Sequence, residues 1–195
     1  MIPIYKIIIN DEETGIDRIS LVKYPAVESN FLAFEKNEKK LTFKADEEQK
    51  IIMGVLARAD YPIYRYDTQI GEYYIQFSKE VIKELAEKLL SDGHQNWVNI
   101  EHKKDSDVDG VKMVQMFIKD KKKGINPDGF DDVSDGSLFA TFKVHNEDIW
   151  KEIKNGTFKG FSVEGLFGFE KIDEDEDEKL YDEIMDLIKT ISKLR

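Results

Sequence analysis

Hydrophobic and polar positions divide the first 169 residues into short runs, mostly of period two. Ile4–Ile9 reads as a strand, Thr14-Gly15 as a turn, and Ile19–Val22 as a second short strand limited by Pro25. Phe31–Phe34 forms another extended piece. Glu35–Glu48 is lysine- and glutamate-rich, either a loop or the exposed face of a strand. Ile51–Arg58 is a clear strand. Tyr61–Tyr66 surrounds Pro62 and predicts a turn, and Glu72–Phe77 alternates as a strand does.

The period then changes. Ser78 is an N-cap signal, Val81, Ile82, Leu85, Leu89 and Leu90 fall on one helical face, and Gly93 is a stop. Strands follow at Trp97–His102, Val111–Ile118 and Leu138–Val144, separated by a turn at Asp105–Gly110 and a polar loop at Lys119–Ser137. Asn146 caps a short helix carrying Ile149, Trp150 and Ile153, which stops at Asn155-Gly156. Phe158–Phe169 is the last strand run. The pattern predicts an α+β, mostly-β domain over residues 1–169. Residues 170–179 read as an acidic linker. In residues 180–195, Leu180, Ile184, Leu187, Ile191 and Leu194 mark a short heptad-like helix.

Composition narrows the function classes. The net charge is −11, and phosphate backbones and anionic membranes both call for a positive footprint, so neither nucleic acid nor membrane is expected as a partner. With no cysteine, disulfides, thiolate metal sites and cysteine nucleophiles are excluded. Met1–Ile9 reads as a strand rather than a signal peptide, and no apolar run is long enough to span a bilayer. A soluble intracellular protein is the expectation.

Two blocks carry chemistry. Val98-Asn99-Ile100-Glu101-His102 and Gly160-Phe161-Ser162-Val163-Glu164-Gly165 each hold a useful side chain inside an apolar run. A serine hydroxyl is a weak nucleophile and requires a base within hydrogen-bond reach; histidine suits that role. Alternation puts Ser162 and Glu164 on one strand face. The bland alternative is that Ser162 is a small residue beside two glycines where strands crowd, and that Glu164 is a solvated strand residue. His94 and His145 sit at helix boundaries and read as surface or capping residues. Asp105, Asp107 and Asp109 alternate in a loop without the rest of an EF-hand pattern, so no metal is assigned. Lys121–Lys123 reads as exposed loop.

In order and spacing, several blocks resemble the XkdF-like group of phage prohead maturation serine proteases. They are "IPIYKIIINDEETGIDRISLVKYPAVESNFLAF", "IIMGVLARADYPIYRYD", "YYIQFSKEVIKELAEKLL", "VNIEH", "FKVHNEDIWKEIKNG" and "FKGFSVEG". The resemblance covers most of residues 1–169. It implies a small closed β-barrel ringed by helices, as in herpesvirus assemblins. It also implies a serine endopeptidase of capsid maturation, packaged in the immature capsid in the host cytoplasm, that cuts scaffold, major capsid protein extensions and itself. Carried over, Ser162 is the nucleophile and His102 the general base, with Glu164 as candidate third member and no cofactor. The strand after the histidine often carries a Glu-Ser pair in this group, and here it reads Val114-Gln115-Met116-Phe117. No histidine follows Ser162 to serve as the third member that assemblins use. These departures support an alternative, a protease fold acting as a non-catalytic assembly module. The C-terminal helix is expected to pack on the domain, dock on scaffold or capsid protein, or pair in a homodimer.

Overall fold

The computed structural model describes residues 2–10, 13–25, 32–34 and 49–172. The expected helix at 180–195, most of the linker before it and all of Glu35–Glu48 lie outside the described residues. The described chain is mostly β with two α-helices, in the order β1 (Ile4–Ile8), β2 (Gly15–Val22), β3 (Leu32–Phe34), β4 (Ile51–Ala57), β5 (Ile63–Asp67), β6 (Gly71–Gln76), α1 (Lys79–Ser91), β7 (Val98–Ile100), β8 (Val111–Ile118), β9 (Leu138–Val144), α2 (Glu147–Lys154), β10 (Gly160–Leu166) and β11 (Gly168–Lys171).

The helices start where their caps allow. Ser78 Oγ accepts from Val81 N at 3.2 Å, and Asn146 Oδ1 accepts from the backbone N–H groups of Asp148 and Ile149, each at 3.1 Å. α1 buries Ile82, Leu85, Ala86 and Leu89, while Leu90 turns out to solvent, off the face that spacing assigned to it. α2 buries Ile149, Trp150 and Ile153. Tyr61–Tyr66 is not a turn. β5 occupies most of it, pairing antiparallel with β6, and Pro62 lies just before the first paired residue.

The strands form three sheets, ordered β11-β1-β6-β5, β10-β2-β7 and β3-β4-β9-β8. They do not close into the expected barrel, for a reason visible in β10. Closure requires a hydrogen-bonded neighbour on both sides of every strand, and among the described residues β10 pairs only with β2. It lies near β4 without pairing with it, and the Phe161 ring packs 5.0 Å from that of Phe142 on β9. After Phe167 the chain changes sheet, and β11 pairs with β1. The single predicted run Phe158–Phe169 is therefore two strands in two sheets.

The middle sheet positions the site. β2 is central, antiparallel to β10 and parallel to β7. One of its faces is core: Ile19, Leu21, Val98 and Phe161 are all buried. Burial of such side chains stabilises by about 1.5–3 kcal/mol each and fixes the register. The opposite face therefore presents one residue per strand at a common level, Ser162 opposite Ser20 and Ser20 opposite Asn99.

Candidate active site

Three apolar runs each carry one small polar residue: Ile19-Ser20-Leu21, Val98-Asn99-Ile100 and Phe161-Ser162-Val163. Register aligns the three as a row, with Ser20 at 0 %, Asn99 at 2 % and Ser162 at 5 % exposure. Buried polar groups require partners. Ser20 Oγ is hydrogen-bonded to Asn99 Oδ1 and, at 2.7 Å, to Glu164 Oε1. Asn99 Nδ2 donates to the same Glu164 oxygen at 2.6 Å.

Glu164 shares the face of Ser162 by alternation, and directly after it the β10–β2 register shifts, leaving Asp17 as the extra residue on β2. Only glycine fits at 165, since a Cβ there would lie 1.8 Å from the Gly15 carbonyl oxygen.

His102 arrives by a different route. β7 ends at Ile100, two residues short of the predicted strand end, and Glu101 and His102 both take left-handed backbone conformations, with φ of 52° and 55°. Such conformations cost of order 1–3 kcal/mol per residue and persist where the surroundings over-determine them. Here the turn is braced on several sides. Ser106 Oγ accepts from Ile100 N and lies 3.0 Å from Ile100 O and 2.6 Å from Lys103 O. Glu101 N donates to Leu21 O, and the Glu101 carboxylate accepts from Lys23 N. A continued strand would have sent His102 to the face opposite Asn99. The left-handed turn brings it to the Asn99 side instead.

There Nδ1 of His102 lies 2.9 Å from Glu164 Oε1 and 3.0 Å from Ser20 Oγ. A carboxylate only accepts, so the proton is assigned to Nδ1, which leaves a lone pair on Nε2. Among the described residues no hydrogen bond links His102 to Ser162, and no group is bonded to Nε2. Burial pushes the Glu164 carboxyl up, but hydrogen bonds from Ser20, Asn99 and His102, with the imidazole charge, outweigh it and hold the group below the usual carboxylate range.

Ser162 and Glu164, together with Val163 between them, line a cavity of about 580 Å³, which His102 does not line. Its walls include Tyr73, Phe77 and Phe167, with Arg18 and Arg65 among them. A cleft of this size, with apolar walls and a few polar groups, has the character of a ligand-binding pocket. Gln115 and Met116, the departure from the resembled group, do not line it; Met116 lines a separate cavity between α1 and β8.

A family model described as "Putative phage serine protease XkdF" matches residues 38–171, more than half of the chain. The chain belongs to this family. The XkdF match spans the histidine and serine blocks and Glu164, while Ser20 precedes the matched residues. No curated protein and no solved structure matches the chain.

His94 and Asp107 are engaged elsewhere. His94 stacks on Trp97 with ring centroids 4.1 Å apart, and its Nδ1 lies 3.3 Å from Ile16 O. Asp107 of the alternating acidic loop is paired with Arg18. Sequence reasoning missed Ser20 and Asn99. Their signal was present, since each is a polar residue flanked on both sides by apolar ones.

Proposed function

We propose that the protein is a serine endopeptidase of phage capsid maturation. In this reading Ser162 attacks a peptide carbonyl, His102 Nε2 takes its proton and later gives it to the leaving amine, and Glu164 orients and balances the imidazole. Water then releases the acyl-enzyme, and no cofactor takes part. The observation that carries the proposal is the Glu164–His102 Nδ1 pair, 2.9 Å apart, with Glu164 two residues along β10 from a serine that lines the same cavity. The carboxylate selects the tautomer that leaves Nε2 free. Family membership supplies the reaction class. Catalytic hydrogen bonds are often loose before substrate binds, so the approach of Nε2 to Ser162 belongs to the complex.

Scaffold, extensions of the major capsid protein and the protease itself are the proposed substrates, cut inside the prohead. The test is co-expression with the phage's capsid and scaffold proteins. Trimming that disappears in Ser162→Ala and in His102→Ala is expected. Wild-type protein that is folded and assembled in proheads yet leaves every partner at full length would overturn the proposal and favour the non-catalytic assembly module.

A further inference from the structure

We propose that Ser20 and Asn99 are positioning residues, which clamp one oxygen of Glu164 so that it faces Nδ1 of His102, and that Ser20 is not the attacking alcohol although its hydroxyl touches the imidazole. The proposal deepens the proteolytic reading and rests on it for its catalytic consequence.

Proton accounting makes the argument. Glu164 Oε1 can only accept, so the amide nitrogen of Asn99 must face it, and the amide oxygen must face Ser20. Ser20 then has one proton between two acceptors, Asn99 Oδ1 and Glu164 Oε1. The carboxylate oxygen collects Asn99 N–H and His102 Nδ1–H and shares the single Ser20 O–H with Asn99 Oδ1. Donors converging on one oxygen fix both its ionisation and its direction, as partners behind a catalytic or ligating side chain do elsewhere. Both clamp residues come from strands whose other faces are packed in the core, so the clamp is rigid.

The same geometry separates the two serines. Removing the Ser20 proton would place an alkoxide 2.7 Å from a carboxylate, which raises the cost of forming it. Ser20 is also fully buried, whereas Ser162 lines the cavity. Ser20 thus supports the acid, and Ser162 stands where a peptide can arrive.

The test uses the full chain with ¹³C-carboxyl glutamate and ¹⁵N-imidazole histidine, assigned by comparison with Glu164→Gln and His102→Gln. In wild type, Glu164 titrates below ordinary glutamate and His102 carries its neutral-form proton on Nδ1. Ser20→Ala is expected to raise the Glu164 titration, to lower the Nδ1–H population, and to slow fluorophosphonate labelling by about 10–100-fold. Ser20→Thr, which keeps the hydroxyl, restores all three. Asn99→Asp, an isostere that avoids a hole, places a second carboxylate against Oε1 and raises the titration further. An unmoved Glu164 titration and His102 tautomer in both Ser20→Ala and Asn99→Asp would overturn the clamp, as would an adduct on Ser20. If the spectra move as expected but wild type never labels, the clamp stands and the proteolytic reading fails. If wild type labels on Ser162 and the spectra do not move, the reverse holds.

Discussion

Glu164→Gln removes one charge and leaves the shape of the side chain intact. Its consequence follows from the distance to His102. As the serine proton is taken, the imidazole becomes a cation 2.9 Å from Glu164 Oε1. Two unit charges at that separation interact by about 6 kcal/mol at an effective dielectric near 20 and by about 1.4 kcal/mol in bulk water. The two side chains are 40 % and 30 % exposed, so solvent screens the pair to an intermediate strength of ~3 kcal/mol. At about 1.4 kcal/mol per tenfold, that is a rate loss of roughly 100-fold. The assay is the initial rate of labelling by a fluorophosphonate, which requires an activated serine and no knowledge of the cleavage site. Circular dichroism and urea unfolding establish that the variant remains folded. Labelling within about twofold of wild type by a folded Glu164→Gln protein would refute the reasoning.

Three further outcomes follow from the same geometry. Because the Glu164 carboxyl is held below its ordinary value in the folded state, its contribution to stability is fully present above ~4.3, the unfolded value, and is lost as pH falls through the lower folded value; urea midpoints should drop over that acid window, and the drop should be shallower in Glu164→Gln. Gly165→Ala would set a Cβ against the Gly15 carbonyl, so β10 must shift from β2; we expect a loss of more than ~2 kcal/mol in urea unfolding together with slowed labelling, and a variant matching wild type in both would contradict the bulge argument. Asn146→Ala removes the α2 cap and should cost about 1 kcal/mol of stability while leaving the labelling rate unchanged; an equal loss of labelling would show that α2 is coupled to the site.

The sequence made most elements legible because their signals are local. Ser78 and Asn146 cap the helices they were expected to cap, and strands such as Leu138–Val144 are bounded as alternation and turn residues predict. What escaped depended on long-range pairing. β5 reads as a turn because Pro62 precedes it, yet β6 supplies a ladder partner. The barrel implied by family resemblance fails at Phe167, where a change of sheet leaves no trace in a continuous apolar run. At the candidate site, His102, Ser162 and Glu164 were singled out from residue type, spacing and the resemblance they carry. Glu164 was the doubtful member, since a residue two positions from the serine rarely reaches around to a histidine. Two consecutive left-handed residues, neither of them glycine, resolve that difficulty by moving the histidine instead. Ser20 stayed hidden because only the register of β2 against both neighbours makes it part of a row.

The most direct test of the central claim is to map the fluorophosphonate adduct by peptide mass spectrometry. A single adduct on Ser162, absent in His102→Gln, is the predicted result. An adduct on Ser20 would mean that the wrong alcohol has been assigned. A folded protein that takes up no label at all would contradict the account of Glu164, His102 and Ser162 as a working set.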